Sequence, residues 1–380
     1  MNEPAPLANG KDTTSFGGNA TAWRPGEFAN PTRLPLICTE DARPILPDFD
    51  LWDCWPLQHE DGRTAEIGGD RYWFFLSAPR FPDPGRRHLV AKIRMLRLTG
   101  DKWHDCGPAL PDGCSIGHAE WAGSAVLHQD GTTVSLFYTS SGSTDGPGFQ
   151  QRMAFSTGLL GPNGPGSWSS SRELVVADGQ QYVRVDSAAG EPGRIKAFRD
   201  PAWFRDPLTG NAHILFTGSA AWTSDEFNGL IGLATLIDGA WRLERPLVTA
   251  IGVNNELERP HIVMREGRYY LFWSTQRFVF STRVQAGPNG LYAMVADRLD
   301  GAWRPVNGNG LVIANPSNEP VQSYSWWVTG EGIVWSFIDH WGMAGRSFED
   351  HPELLRQQFG GTPAPCFALD FDVDRVLLRR

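Results

Sequence analysis

Four short segments, DKW (101–103), GSW (166–168), GAW (239–241) and GAW (301–303), recur along the 380-residue chain. Their tryptophans are 65, 73 and 62 residues apart, and a short apolar stretch follows each segment. A period of this size holds about four strands of five to six residues with their turns. Dividing the folded region by this period gives roughly five units. The repeat therefore predicts an all-β fold, a five-bladed β-propeller with a tryptophan on each outer strand and an axial pocket between the inner strands.

Strand-like segments fill the space between these repeats. They are short, rich in aromatic and β-branched residues, and separated by Gly, Pro, Asp and Asn. The segments are 72–76, 89–98, 134–139, 212–217, 230–236, 269–274 and 332–338. The best helix candidate is DHPELLRQQ at 350–358. The pattern is that of an all-β protein with very little helix.

Composition and charge limit the partners. The formal net charge of −9 argues against nucleic acid and anionic membranes, because both attract a basic surface. No apolar run of about 18 residues predicts a membrane span. Residues 1–22 are polar and lack the apolar stretch of a secretory signal, so we expect this segment to be disordered and the protein to be cytoplasmic or exported by a leaderless route. Residues 23–380 contain no linker and predict a single domain, whose oligomeric state the sequence leaves open.

The cysteines predict neither a set of disulfide bonds nor a zinc site. Five are present, none of them in a CxxC pair. We therefore expect neither disulfides nor a zinc site, and no motif calls for another metal or a cofactor. Cys54 is interpreted as a small buried thiol.

Three segments place carboxylates where a half-buried strand is normally apolar. In DLWDCWPL (50–57), Asp53 lies between Trp52 and Trp55. A carboxylate enclosed by indole rings is costly to desolvate without hydrogen-bond donors or a chemical purpose. The local sequence is equally compatible with an aspartate that caps its own turn.

The second segment, AFRDPAWFRDPLTG (197–210), contains Arg-Asp-Pro twice. The second copy leads into Leu-Thr-Gly and then a strand, which is typical of a hairpin turn, so Asp206 is predicted to be structural. The first copy lies between apolar and aromatic residues, as an inner strand with one polar residue does. Asp200 is therefore the stronger candidate for a functional site.

The third segment, NNELERPHIV (254–263), carries Glu256 and Glu258 on the same side of a strand. Neighbouring carboxylates raise one another's pKa, and an acid catalyst at neutral pH needs a raised pKa. The alternative is a solvated polar edge, which the flanking Val253 and Leu257 make less favourable. Three such segments supply what glycoside cleavage requires: a proton donor, a nucleophile and a carboxylate that holds sugar hydroxyls.

Six stretches in this order resemble glycoside hydrolase family 68, which holds levansucrases, inulosucrases and related β-fructofuranosidases. They are WDCWPLQHEDG (52–62), HAEWAGSAVL (118–127), KAFRDPAWF (196–204), NNELERPHIV (254–263), GPNGLYAMVAD (287–297) and GAWRPVNGNGLV (301–312). The resemblance implies a five-bladed propeller, the fold that the tryptophan spacing also predicts. It further implies a retaining enzyme that cleaves sucrose and passes fructose to water or to a sugar acceptor.

The resemblance also implies roles for individual residues. Asp53 corresponds to the nucleophile, Asp200 to the transition-state stabiliser and Glu258 to the acid/base. The positions that line the sucrose pocket or seat an acceptor sugar are Trp52, Trp121, Arg199, Glu256, Arg259, Gln276, Arg277 and Tyr324.

Two departures from the family pattern are informative. The family usually reads EWSGS, with a serine that steadies the nucleophile, whereas this chain has Ala122. Many Gram-negative members read Ser-His-Arg where this chain has Thr275-Gln276-Arg277. Because that histidine helps to seat an acceptor, Gln276 favours hydrolysis and short fructo-oligosaccharides over a long polymer.

Two other interpretations compete. An invertase-like fructosidase of family 32 reads Asn-Asp-Pro-Asn at the nucleophile and Glu-Cys at the acid, and this chain has neither motif. A non-catalytic sugar-binding propeller would be expected to lack at least one of Asp53, Asp200 and Glu258, and all three are present.

Overall fold

The structure, a computed structural model, describes residues 20–186 and 195–379. This part of the chain is nearly all β: its α-helices are α1 (Arg87–Val90) and α2 (Leu354–Gln357), each of four residues, and 3-10 turns span Pro84–Arg86, Arg277–Val279 and Val306–Gly308. In these residues no helix has the length and apolar character needed to cross a membrane. The predicted all-β class is confirmed.

The strands assemble into four sheets, in which neighbouring strands are mostly antiparallel. The ten-stranded sheet contains β2 (Phe49–His59), β3 (Glu66–Ile67), β4 (Asp70–Pro79), β5 (Lys92–Thr99), β6 (Lys102–Pro108), β7 (Ala119–Leu127), β8 (Thr133–Ser143), β9 (Gly146–Gly161), β10 (Gly164–Gly166) and β11 (Arg172–Val175). The six-stranded sheet contains β1 (Thr21–Ala22), β12 (Phe198–Arg205), β13 (Ala212–Ser219), β14 (Gly229–Ile237), β15 (Ala240–Leu243) and β16 (Val248–Thr249).

Two five-stranded sheets complete the fold. The first contains β17 (Glu258–Arg265), β18 (Arg268–Thr275), β19 (Gly290–Ala296), β20 (Arg304–Pro305) and β21 (Leu311–Ala314). The second contains β22 (Ser323–Val328), β23 (Ile333–His340), β24 (Phe359–Pro363), β25 (Phe367–Asp372) and β26 (Arg375–Leu378). In each sheet several strands pair with the next strand in sequence, as short turns between strands favour, for example β7 with β8 and β17 with β18.

The predicted strands agree with the structure except at the start of two segments: 332–338 begins one residue before β23, and 89–98 differs more. Segment 89–98 was expected to be extended, yet its first two residues belong to α1. The reason lies just before it: the Asp83 side chain accepts a hydrogen bond from the amide of Gly85 (2.9 Å) and caps a 3-10 turn that begins at Pro84 and runs into α1. The helix predicted at 350–358 is present as α2.

The repeated tryptophans occupy related but not identical positions. Trp103 lies on β6 and Trp241 on β15, both strands at the periphery of their sheets. Trp168 follows β10, and Trp303 precedes β20. The prediction of a tryptophan on each outer strand therefore holds at two of the four repeats and misses by a few residues at the others.

The beginning of the described chain is paired. Residues 1–19 of the segment predicted to be disordered lie outside the described residues, whereas Thr21 and Ala22 form β1, parallel to β16. The next residue, Trp23, is fully buried and its ring packs edge-on against Trp273 at 5.2 Å. The boundary predicted at residue 22 thus falls within a paired strand.

Candidate active site

Five of the strands that reach the candidate site contain a β-bulge. Register shifts interrupt the pairing of β2, β7, β12, β17 and β22. In four of these bulges one residue is left-handed: Asp53 (φ 46°), Asp200 (φ 62°), Arg259 (φ 52°) and Ser325 (φ 59°). This conformation costs a non-glycine residue about 1–2 kcal/mol, and such strain persists mainly where function requires it. Bulges redirect side chains, and these four side chains face one cavity.

The cavity has a volume of about 360 Å³. Nine of the eleven residues predicted for the site line it: Trp52, Asp53, Trp121, Arg199, Asp200, Glu256, Glu258, Arg259 and Tyr324. The other two, Gln276 and Arg277, do not, because β18 ends at Thr275 and the chain continues into a 3-10 turn. They line an adjoining cavity instead.

Asp53 faces the cavity from β2. Burial raises the pKa of its carboxyl group from 3.8 to about 6, although the charge of Arg259 and a hydrogen bond from the Ser325 hydroxyl oppose the rise. The carboxylate is therefore mostly ionised at pH 7. Its neighbour Cys54 is buried, and burial raises the pKa of the thiol to about 12, so Cys54 remains protonated as expected.

Asp200 is held by a fixed set of donors. Its carboxylate oxygen Oδ2 accepts hydrogen bonds from the Thr217 hydroxyl (3.0 Å) and the Arg259 amide (3.2 Å), and its own amide donates to Thr139 Oγ1 (2.8 Å). Burial raises the pKa of this carboxyl group, while the charge of Arg199 lowers it. The side chain is thus immobilised with one oxygen still available to a ligand in the cavity.

Asp206, in the second Arg-Asp-Pro copy, lies at the opposite end of β12. Its carboxylate accepts hydrogen bonds from the Leu208 amide (3.0 Å), the Thr209 hydroxyl (2.8 Å) and the Tyr269 hydroxyl. Two of these donors belong to the turn that follows, as the structural role predicted from the sequence requires.

Glu256 and Glu258 share one guanidinium group. Arg199 Nη2 donates to Glu256 Oε1 and to Glu258 Oε1, the latter at 3.0 Å, while the Tyr324 hydroxyl donates to Glu258 Oε2. Burial and then the charge of Glu258 raise the pKa of Glu256 to about 7, with Arg199 opposing. Burial and the two carboxylates keep the pKa of Tyr324 well above 10, so the phenol remains a donor. Glu256 accordingly still holds a proton in a large fraction of molecules close to neutral pH.

Arg259 connects the strands around the nucleophile candidate. One guanidinium nitrogen, Nη2, donates to the carbonyl of Cys54 (2.7 Å), and Nη1 donates to the carbonyl (3.1 Å) and hydroxyl (2.8 Å) of Ser325. Because the Ser325 oxygen accepts from Arg259, its own proton is free to point to Asp53. This arrangement fixes both bulges that flank the Asp53 carboxylate.

The sequence did not single out Ser325 or His88, and both line the cavity. The His88 carbonyl accepts the indole N–H of Trp121 (2.8 Å), and its ring packs edge-on against Trp52 at 6.0 Å. Burial, together with the charges of Arg87 and Arg199, lowers the pKa of His88 well below 6.5, so its ring is neutral. His88 thereby contacts both Trp52 and Trp121, whose indole rings line the cavity.

A signal for Ser325 was present in the sequence. In WDCW, RDPA, ERPH and YSWW, the left-handed residue is always the second. Aligning these four bulges would have identified Ser325 as the counterpart of Asp53, Asp200 and Arg259. No comparable pattern marks His88, which is placed by the turn at Pro84 and by α1.

Comparison with known proteins identifies the family of this chain. The family model described as levansucrase/invertase, glycoside hydrolase family 68, matches residues 20–229 and 223–378. Levansucrase LscA of Pseudomonas savastanoi pv. glycinea is 30% identical over 98% of this chain and 96% of its own length, and the levansucrase of Erwinia amylovora is 30% identical over 91% and 90%. The solved structure of the inulosucrase from Halalkalicoccus jeotgali bound to kestose has a TM-score of 0.84 at 36% identity and covers 94% of this chain and 95% of that one. This chain therefore belongs to glycoside hydrolase family 68, the levansucrase/invertase family.

Proposed function

We propose that this protein cleaves sucrose, keeps the fructosyl unit as a covalent ester on Asp53, and passes it to water or to a sugar acceptor. One observation carries the proposal: Asp53, Asp200 and Glu258 come from three different strands and line a single cavity. A retaining glycosidase requires a nucleophile and a proton donor on opposite sides of the scissile bond. The names of the relatives, levansucrases and an inulosucrase bound to kestose, indicate the same substrate class.

In the first step, the carboxylate of Asp53 attacks the anomeric carbon of the fructosyl unit as the bond to the glucosyl oxygen breaks. Glu258 gives its proton to that oxygen, so glucose leaves as a neutral molecule. The raised pKa values of Asp53 and Glu256 suit this chemistry: near pH 7 Asp53 is mostly ionised, while Glu256, which shares Arg199 with Glu258, still holds a proton in a large fraction of molecules.

The remaining groups stabilise the transition state. Positive charge develops on the fructosyl ring as the glycosidic bond breaks, and the fixed carboxylate of Asp200 interacts with the ring hydroxyls more strongly at that stage. Arg199 holds Glu258 at 3.0 Å and so orients the proton donor. In the second step, Glu258 takes a proton from water or from an acceptor hydroxyl, the new bond to the anomeric carbon forms, and the ester to Asp53 breaks.

We also propose that residues 23–380 form a single five-bladed propeller. The parallel pairing of Leu57 with Ala125 joins β2 to β7, so the ten-stranded sheet divides naturally into two antiparallel blades at this point. The first strands of the resulting five units contact one another in the order β2, β7, β12, β17 and β22, and β22 contacts β2 again. This cyclic order supports closure around the axial cavity.

The preference for water or for a sugar acceptor rests on Gln276. We propose that hydrolysis and short fructo-oligosaccharides predominate, because Gln276 replaces the histidine that seats an acceptor in many Gram-negative relatives. Gln276 lies close enough to the Tyr324 hydroxyl to oppose the rise in the pKa of that phenol, and the same hydroxyl donates to Glu258. An amide at this position offers a different set of donors and acceptors from an imidazole.

The decisive experiment is incubation of the purified protein with sucrose, followed by separate measurement of glucose, free fructose and oligosaccharides. The wild type should release glucose, and Asp53→Asn should lose at least about three orders of magnitude in rate, as removal of a catalytic nucleophile does. Trapping of a fructosyl ester on acid-quenched wild type and its absence in Asp53→Asn would identify the nucleophile. Glucose release by Asp53→Asn at close to the wild-type rate would refute the assignment.

A further inference from the structure

A buried histidine joins two of the strands that carry the site. His261 lies on β17 and is only 3% exposed. Its Nε2 accepts a hydrogen bond from the amide of Val328 on β22 (2.9 Å), and its Nδ1 lies 2.9 Å from the carbonyl oxygen of Arg259. His261 does not line the cavity that holds the carboxylates. Any contribution that it makes to the reaction therefore passes through the residues that it contacts.

The two partners fix the tautomer of the imidazole. A backbone amide can only donate, so Nε2 carries a lone pair and the proton is on Nδ1, which donates it to the Arg259 carbonyl. Burial lowers the pKa of His261 from 6.5 to about 3, although the bond to that carbonyl opposes the fall. The ring is therefore neutral near pH 7, with one nitrogen as donor and the other as acceptor.

Aromatic neighbours hold the ring in this orientation. The His261 ring stacks on Trp327 at a centroid distance of 4.3 Å and on Phe272 at 5.7 Å. The guanidinium carbon of Arg259 lies 5.3 Å from the Trp327 ring, so the same indole contacts both the imidazole and the arginine. Stacking on two rings restricts rotation of the imidazole, and both nitrogens stay directed at their partners.

Both partners of His261 lie at β-bulges. Arg259 occupies the bulge of β17 in a left-handed conformation (φ 52°). Val328 directly follows the bulge of β22, in which Ser325 is the left-handed residue (φ 59°). A bulge interrupts the backbone ladder, so pairing between strands does not by itself align these two segments. The two hydrogen bonds of His261 connect them directly.

The residues of these two bulges face the Asp53 carboxylate. The charge of Arg259 and the hydrogen bond from Ser325 lower the pKa of Asp53 against the effect of burial. Displacement of either bulge would weaken one of these interactions and raise the pKa further. The other charged groups that interact with Asp53 are Asp200, Glu258 and Arg87.

We propose that His261 is a positioning residue, which sets Arg259 and Ser325 at the Asp53 carboxylate by joining the two bulges through its imidazole. It touches neither the sugar nor the reacting atoms. The inference rests on the proposed function, in which Asp53 attacks the anomeric carbon. It adds a residue outside the cavity on which the ionisation of the nucleophile depends.

Three substitutions separate the contacts of the imidazole. His261→Asn keeps a donor near the position of Nδ1, and His261→Gln keeps an acceptor near that of Nε2, because their amide groups branch at the corresponding atoms. His261→Phe keeps the stacking and loses both hydrogen bonds. His213→Phe is the matched control: His213 is also buried, bonds through Nδ1 to Thr235 Oγ1 (3.0 Å) and stacks on Phe204, but it lines a different cavity.

The first measurement is kcat/KM for sucrose from pH 5 to 8, whose rising limb follows the ionisation of Asp53. The limb should move to higher pH by about one unit in His261→Phe, a tenfold weaker hold on the ionised form. It should move less in His261→Asn and His261→Gln, and not at all in His213→Phe. A loss of folded protein alone lowers the rate equally at every pH. An unmoved limb in His261→Phe, or in both other His261 variants where His261→Phe does not fold, would overturn the proposal.

Urea unfolding repeats the test without activity. The gain in free energy of unfolding from Asp53→Asn at pH 8 measures how strongly the ionised carboxylate opposes folding. This gain should be larger in the His261→Gln background than in the wild-type background, because the pKa of Asp53 is then higher; equal gains would contradict the role of His261. A wild type that releases no glucose from sucrose would refute the proposed function alone, since the unfolding comparison still decides whether His261 positions its neighbours.

Discussion

Replacing Asp53 with asparagine should abolish activity and at the same time stabilise the folded protein at neutral pH. Folding transfers this carboxyl group to a buried position, where its pKa rises from 3.8 to about 6. The folded state thus binds the proton more tightly than the unfolded state, and ionisation of Asp53 opposes folding. Asparagine has a similar shape, keeps an oxygen that can accept from Ser325, and carries no charge to desolvate.

The size of the effect on the free energy of unfolding follows from the two pKa values of Asp53, 3.8 and about 6. The proton contributes its full stabilisation below about pH 3.8, and this contribution is lost as the pH rises through about 6. At 1.36 kcal/mol per pH unit, the ionised carboxylate costs the wild type about 1.5 kcal/mol at pH 5 and about 3 kcal/mol at pH 8. The variant avoids this cost, so its advantage in free energy of unfolding should grow with pH.

Urea unfolding of both proteins at pH 5, 6, 7 and 8 measures the difference directly. Asp206→Asn is the control, because Asp206 occurs in the same Arg-Asp-Pro motif but has the opposite shift. Burial opposes ionisation there, yet hydrogen bonds from Tyr269, Leu208 and Thr209 lower the pKa overall, so its carboxylate stabilises the fold above pH 3.8. Asp206→Asn should therefore be destabilised at neutral pH. An Asp53→Asn variant no more stable at pH 8 than at pH 5, relative to the wild type, would refute the reasoning.

Three further predictions concern activity. The pH profile of kcat/KM for sucrose should rise with a pKa near 6, as Asp53 ionises, and fall with a pKa near 7, as Glu256 loses its proton; Glu256→Gln should move the falling limb, and a profile that is flat from pH 5 to 8 would contradict this assignment. Ser325→Ala should shift the rising limb of this profile to higher pH, because the Asp53 carboxylate loses a hydrogen bond. Adding Ala122→Ser to this variant should partly reverse the shift. A rising limb that does not move in Ser325→Ala would count against the role of Ser325. Gln276→His should increase the ratio of transferred to free fructose in product analysis, and an unchanged ratio would remove the basis for the hydrolytic preference.

The candidate catalytic carboxylates could be singled out from the sequence because they violate the pattern of their surroundings. Asp53 lies between two indole-bearing residues, and Asp200 interrupts an apolar strand. Burying such groups costs free energy unless donors compensate, and the structure supplies these donors from distant strands, such as Thr217 and Arg259 to Asp200. An acidic residue in an apolar segment can be recognised in the sequence. The hydrogen-bond donors that compensate for its burial come from distant strands, so they can be recognised only in the folded structure.

Ser325 and His88 show what the sequence could not resolve. A serine in a strand is unremarkable, and only the bulge of β22, with its left-handed backbone, turns Ser325 towards Asp53. His88 enters the site through the short helix α1, directly before the stretch 89–98 that was predicted to be extended. Gln276 was associated with the seat of an acceptor sugar through its position in a motif, and the end of β18 at Thr275 places it in a cavity other than the one that holds the carboxylates. In each case a one- or two-residue irregularity of the backbone decided the position.

The same type of bulge recurs around the site, and each copy of it has a cost in folding free energy. Four strands use the same local deviation to turn an aspartate, a second aspartate, an arginine and a serine towards one cavity. Each left-handed residue costs about 1–2 kcal/mol, and the buried charges add to that cost, so the surrounding strands must supply the stability. Arg259 connects two of the bulges through Cys54 and Ser325, which ties the geometry of the nucleophile to that of a strand more than 200 positions away along the chain. The loss of the usual family serine at Ala122 is tolerable in such a site, because a neighbouring bulge already presents an equivalent hydroxyl.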